Sequence, residues 1–409
     1  MNMSSVDTVS NVTAEACRQV LEQGDGVQIR VVRDVDELAR LREIWDGWTW
    51  HPNSDPDSYL AVLKAMPSGV EPLVFVLYRK GAPQAMLVSR VENGNLSLRL
   101  GYKDLLKIKV RKLVCIYGGL LGDASSENCK ALMISVNDFL RRGEADLAFF
   151  NSLRTDSPLY VAATKLQSFY VRDHMPVFEL HRSMELPKTD NEANRRLSAK
   201  SRKEWRKLMK DFPDQVVIRC FRKPEELDDM FRDVEEVAKK TYQRGLGVGF
   251  GDTPLMRGRL GLEAERGWLR AYVLYLAGRP CAFWVGKLYN ETFHSDSMGY
   301  DSEYRKYSPG MFVVMSVIEG FCNPMNNDAV RVVDFGLGDA EYKRDLGNSE
   351  WREASLYLFA PTVGGLGLNL FRTPAALANR LAKEYLDKAS LLLKAKRIWR
   401  NQLRQQASS

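Results

Sequence analysis

The sequence predicts an α+β protein made of two similar units, each built around a mixed, largely antiparallel central sheet. Three observations carry this expectation. An order of elements (strand, two helices, a three-strand meander, helix, strand) occurs twice along the chain. The 409 residues exceed what a single core usually holds. The runs of β-branched and aromatic residues inside each meander are joined by short Gly- or Asn-containing turns of hairpin type.

In the first copy, VQIRVV (27–32) reads as a strand and DVDELARLREIWDGW (34–48) as an amphipathic helix opened by Asp34. A helix over 57–65 follows. The meander is PLVFVLYRK, APQAMLVSRVE and LSLRL, with turns predicted at Lys80-Gly81 and Asn93-Gly94. A strand KLVCIYG, a helix over 128–141 and a strand ADLAFF close the copy. The second copy runs QVVIRCFR, KPEELDDMFRDVEEVAKKTYQR and TPLMRGRLGLEAER, as strand, helix and helix. Its meander is WLRAYVLYLA, PCAFWVGKLY and ETFHSDSMGY, turning at Gly278-Arg279 and Asn290-Glu291. A helix after Pro309, a strand AVRVVDFG, a short turn or helix DAEYKRDLG and a strand WREASLYLFA complete it. The expected organisation is a weakly ordered 1–26, a first domain 27–186, a basic linker helix 187–214, a second domain 215–360 and a basic amphipathic tail 361–409.

Composition narrows the function classes. No apolar run reaches membrane-spanning length, and the first residues lack the basic-then-apolar order of a signal peptide, so a cytoplasmic protein is expected. The six cysteines never stand in CxxC spacing, and the four histidines show neither HxxxH nor HxH, so no metal site is expected. From Phe371 to Ser409 there are nine Lys/Arg against two acids, a balance of +7 equal to the net charge of the whole chain. That tail reads either as a helix packed on its own protein or as a contact for anionic lipid, an acidic partner or nucleic acid. A second basic run, RRLSAKSRKEWRKLMK (195–210), reads as a solvated linker helix.

Two stretches concentrate chemistry. In YRKYSPGM (304–311) Ser308 is a potential N-cap, Pro309 suits the first helical position, and Gly310 lets a ligand approach the backbone. Arg305 and Lys306 add positive charge at a helix start that already favours anions. In DFGLGDAEYKRDLG (334–347) Asp339, Tyr342 and Lys343 fall within one turn after a strand ending at Asp334. A carboxylate there could remove a proton from an attacking group while a Tyr or Lys stabilises an oxyanion; equally, Asp339 could cap a short helix and pair with Lys343. The glycine-rich TYQRGLGVGFGDTP (241–254) follows a helix, which excludes a dinucleotide fingerprint and leaves a loop over a cleft or a plain connection. His294 is a lone strand histidine, and Cys281 reads as a small core residue.

The residues Gly278-Arg279-Pro280, Gly299-Tyr300-Asp301, Ser308-Pro309-Gly310, Asp334, Gly338-Asp339 and Tyr342-Lys343 together resemble a known family. Over about 198–359 the chain is similar to acetyltransferases of the cellulose-biosynthesis (CelD/BcsL-like) branch of the GNAT superfamily, related to FemABX aminoacyltransferases. The resemblance implies tandem GNAT-like domains, the first degenerate, and acetyl-CoA as donor substrate. It implies catalytic roles among Asp339, Lys343, Tyr342 and His294, and donor binding by Arg305, Lys306, Ser308, Gly310 and Met311. Acceptor binding would fall to Tyr242, Gln243, Arg244, Trp284, Asp296 and Asp334. The acceptor it implies is an amine or hydroxyl of a sugar precursor or polysaccharide intermediate, with the tail at a membrane or synthase complex. Charged tRNA as donor, with the basic runs as RNA contact, and an inert scaffold are the rival readings.

Overall fold

The run PLVFVLY has no polar face because both faces of its strand are covered. Leu73, Phe75 and Leu77 enter one core, and Val74 and Val76 enter another on the opposite side. In this computed structural model, residues 20–23, 26–66, 69–100, 103–186, 199–241, 249–323 and 328–388 are described. They form two compact units, unit 1 from residues 1–178 and 352–385 and unit 2 from residues 179–351 and 386–409.

The sheet of unit 1 follows chain order through β1 (Val20–Gln23), β2 (Val27–Val32), β3 (Glu71–Arg79), β4 (Ala82–Leu100), β5 (Lys103–Gly122) and β6 (Leu147–Arg154). Neighbours are antiparallel except β5 and β6, which are parallel. Residues Arg352–Phe359 of the last strand, β13 (Ser349–Phe359), close it by pairing antiparallel with β6. Helices α1 (Val35–Arg40), α2 (Arg42–Trp48) and α3 (Pro56–Ala65) cover one face through Leu38, Trp45 and Tyr59. Asp34 caps α1 and Asp55 caps α3, each accepting two backbone N–H bonds. On the other face α4 (Ser126–Arg141) sets Leu132, Val136 and Phe139 against Phe75, with α5 (Pro158–Thr164) beside it. Each such fully buried side chain contributes ~1.5–3 kcal/mol.

Two expectations for this unit are corrected. No turn forms at Asn93-Gly94. Strand β4 runs straight through them, with Asn93 opposite Arg111 and Gly94 opposite Val110. The long ladder to β5, and Glu92 held between Arg90 and Lys112, override the local turn preference. The weakly ordered 1–26 also contains β1, paired to β2; residues 1–19 lie outside the described set.

The sheet of unit 2 runs β7–β12–β11–β10–β9–β8, where β7 is Val177–Glu185, β8 Val216–Phe221, β9 Leu269–Leu276, β10 Arg279–Tyr289, β11 Thr292–Tyr300 and β12 Val332–Leu337. The residues of β7 that pair with β12 are 181–185, before the linker, where the sequence reading placed the first domain. Each unit is thus completed by a strand from the other half of the sequence, because β13 pairs with β6 and β7 with β12. Helix α7 (Leu227–Lys239) buries Met230, Phe231, Val234 and Val237 on one face with α8 (Pro254–Glu265), and α9 (Pro309–Cys322) fills the other through Val313, Val314, Val317 and Ile318. Helix α6 (Ala199–Asp211) is no solvated linker: Leu208 is buried, Trp205 packs edge-on against Phe312, and Asp211 accepts from the Tyr307 hydroxyl. Among the described residues two further α-helices are α10 (Glu341–Leu346) and α11 (Val363–Lys388). No described helix is long and apolar enough to cross a membrane.

Candidate active site

Strands β11 and β12 are paired at only three positions, Thr292↔Val332, Phe293↔Val333 and His294↔Asp334. Beyond the last pair β12 shifts register against β7, and Gly336 takes φ +69°, a conformation that a side chain with Cβ rarely adopts. The strands part there and leave a cavity of about 340 Å³. Asp296 and Ser297 from β11, Leu337 from β12, Tyr342 and Lys343 from α10, and Gly249 are among its lining.

The pair at the apex of the fork is polar and tightly held. Asp334 Oδ1 accepts from His181 Nε2 at 2.5 Å and from the Gly336 N–H at 2.7 Å; Oδ2 accepts from His294 Nδ1 at 3.2 Å. Burial would push the Asp334 carboxyl up, but the hydrogen bonds from the His181 and His294 imidazoles reverse this and hold it well below the usual carboxylate range. His181 is itself buried and stacks on Trp351 with ring centroids 4.3 Å apart. The sequence reading missed His181, which lies outside the resembling stretch. Its one signal was a histidine beside Met184 and Leu186 in a segment, HRSMEL, that spans the end of β7.

Lys343 sits in the cavity wall and is buried. Its ammonium donates to Leu337 O at 2.6 Å, and burial pulls its pKa down. The expected Asp339–Lys343 pair is not formed. Asp339 is exposed, accepts from Arg182 Nη1 at 2.5 Å and lies 3.5 Å from Arg344. It does not cap α10 either, whose N-cap is Ala340. Asp296 is likewise committed, taking Arg259 at 2.8 Å and Lys287 at 3.3 Å, with Glu263 on Lys287 at 2.5 Å. Burial opposes its ionisation, but Lys287 and Arg259 push its pKa down to about 2. A carboxylate neutralised by two cations is a poor proton acceptor.

At the donor end, Ser308 departs from expectation. It has φ +48°, and its hydroxyl donates to Glu204 at 2.6 Å instead of capping the helix. The first-turn N–H groups of Gly310 and Met311 therefore have no side-chain cap, while Pro309 stands at the first helical position as expected. Gly310 sits close against Tyr300, whose ring a Cβ there would meet at 3.3 Å. Arg305 and Lys306 are exposed on a 3₁₀ turn (Ser302–Tyr307), with the Lys306 ammonium over the Tyr307 ring. Helix α6 adds exposed Arg202, Lys203, Arg206 and Lys207 on the element that carries Glu204. Trp284 is fully buried, its indole N–H on Ser295, and belongs to the core rather than to an acceptor site. Tyr242, Gln243 and Arg244 lie outside the described residues. Cys281 is buried as expected, and burial together with nearby Asp301 pushes its thiol up to about 12.

Unit 1 repeats the geometry with different residues at the apex. Its parallel pair ends at Cys115↔Phe150, and Ser152, two residues on, has φ +52°, as Gly336 has a positive φ two residues after Asp334. Phe150 thus stands where Asp334 stands and Cys115 where His294 stands.

Residues 195–344 match the family model for an acetyltransferase (GNAT) domain, and this stretch covers most of the sheet of unit 2. Among solved structures the chain is similar to a tandem GNAT protein of the clavulanic acid biosynthesis pathway (11% identity, 82% of this chain and 99% of that one, TM-score 0.47). It is also similar to FemX (10%, 72% and 90%, 0.46) and to a GCN5-related N-acetyltransferase from Sphaerobacter thermophilus (12%, 81% and 96%, 0.40). At these identities and scores the likenesses carry no weight for function. Among curated protein sequences there is no match.

Proposed function

We propose that unit 2 transfers an acyl group, acetyl by preference, from acyl-CoA to an amine or hydroxyl of a sugar precursor or envelope-polysaccharide intermediate at the cytoplasmic side of the cell. The observation that carries this reading is the fork between β11 and β12, with His294 and Asp334 at its apex and Lys343 in its wall. The acetyl donor is supported by the family match, and the sugar acceptor by the CelD/BcsL-like motifs.

In this reading the donor phosphates meet Arg305, Lys306 and the uncapped start of α9, with the basic residues of α6 adding to the field. The Glu204 carboxylate already shares that helix start, so the phosphates must approach on the side of the free N–H groups. The acceptor nitrogen or oxygen attacks the thioester carbonyl. Lys343 stabilises the oxyanion, and the His294–Asp334 pair at the apex takes up the acceptor proton. The C–S bond then breaks, and the proton passes to the departing thiolate. This gives the base role to His294, since Asp339 and Asp296 are occupied by cations.

Exposed basic residues beside the donor entrance also suit an aminoacyl-tRNA, which keeps that reading as the alternative. Calorimetric titration with acetyl-CoA and with charged tRNA tests both. Salt-sensitive binding of acetyl-CoA supports the proposal. Binding of charged tRNA with none of acetyl-CoA overturns it in favour of the alternative, and binding of neither leaves a scaffold.

A further inference from the structure

Helix α11 is anchored by polar residues: although Leu368 packs inward, Asn369 is 5% exposed and Arg372 8%. The Asn369 amide donates to the carbonyls of Tyr170 and Arg172 at 2.8 and 3.1 Å, and Arg372 donates to Asp173 Oδ1 at 2.5 Å. Its exposed positions are apolar, with Val363 93%, Leu370 72%, Phe371 65% and Leu381 55% exposed. Val363, Leu366, Leu370, Leu377 and Leu381 fall within an arc of about 60° at the helical period. The segment to which Asn369 bolts the helix also carries apolar side chains outward, with Leu166, Phe169 and Tyr170 all more than half exposed. The polar anchors prevent the helix from rolling the exposed leucines inward, so the apolar stripe stays outside.

We infer that the stripe Val363–Leu381, with Phe169 and Tyr170 beside it, is an interfacial docking surface of unit 1 for an anionic lipid bilayer. Charge selects this occupant. After Lys388 the sequence continues with Lys394, Lys396, Arg397, Arg400 and Arg404 and no acidic residue. Anionic headgroups reward that charge and acyl chains reward the leucines, whereas nucleic acid rewards the charge alone. The helix is not apolar enough to span, so it lies in the surface. The inference stands independently of the acyl-transfer reading.

The test is sedimentation of the full chain with phosphatidylcholine vesicles, with and without phosphatidylglycerol. Wild type should sediment with the anionic vesicles at low salt and only weakly with the neutral ones. The variant Leu370→Glu/Phe371→Glu, both exposed and free of site contacts, should need at least about tenfold more lipid while circular dichroism and melting stay unchanged. Leu370→Ile/Phe371→Leu should retain binding. Undiminished binding by the Glu variant, or no binding by wild type, overturns the inference. So does a concentration-dependent dimer that the Glu variant abolishes in the absence of lipid, which would make the stripe a contact between copies.

Discussion

Replacing Asp334 by Asn keeps the side chain's size and removes its charge, which makes it a direct probe of the fork. Asp334 accepts three hydrogen bonds, from His181, His294 and the Gly336 N–H. An amide has one oxygen, so at least one imidazole must face an NH₂ group instead of a carboxylate. A charge-assisted bond contributes ~1.5–3 kcal/mol, so losing one and weakening the other should cost ~2–4 kcal/mol of stability. Turnover should fall ~10²–10⁴-fold, the range for a histidine base deprived of its orienting carboxylate, with little change in donor affinity. Single-turnover acyl transfer, donor titration and thermal melting measure the three quantities. The pH dependence has a definite sign. The folded-state pKa of Asp334 is depressed, so its contribution is fully present above the unfolded value of ~3.9 and is lost as pH falls through the folded value. The melting gap between wild type and Asp334→Asn should stand at full size at about pH 5 and narrow below about pH 4. Turnover within about twofold of wild type, with an unchanged melting point at about pH 5, would refute the reasoning and move the search for a base to Tyr342.

Lys343→Met should lower turnover about 10²-fold with donor affinity kept, whereas Asp339→Asn should behave like wild type in turnover and melting. The two rates separate a buried cavity ammonium from an exposed ion pair, and equal losses would restore the paired reading. Substituting Arg305 and Lys306 together by Ala should weaken CoA binding about tenfold and flatten its salt dependence; unchanged affinity in calorimetry removes them from the donor site. Gly299→Ala should destabilise by ~1–3 kcal/mol in denaturant melts, because the new Cβ would lie 2.7 Å from the Phe283 ring and 2.9 Å from Thr241. Wild-type stability there would mean that Gly299 matters for chemistry rather than packing.

Much of the candidate site was legible because its signals are local. Asp334, Tyr342 and Lys343 stand within ten residues, and a positive-φ glycine after a strand marks the bend that parts β11 from β12. Which of them touch was not legible. Spacing put Asp339 one turn from Lys343, but Arg182, from a strand more than 150 residues earlier, competes for Asp339 and wins. Ser308 has the composition of a helix cap, yet Glu204 on another helix draws its hydroxyl away.

By itself the sequence determined the tandem order of elements and the hairpin turns at Lys80-Gly81 and Asn290-Glu291, while the turn read at Gly278-Arg279 forms one residue earlier, at Ala277-Gly278. Periodicity and turn chemistry are written within a few residues of where they act. Only the tertiary structure decided that Asn93-Gly94 would be straightened by its partner strand, that β7 and β13 would each complete the other half's unit, and that His181 would reach Asp334. Those outcomes depend on pairings between residues far apart in the chain, and backbone hydrogen bonding, the same for every sequence, leaves no local mark of which partner a strand will choose.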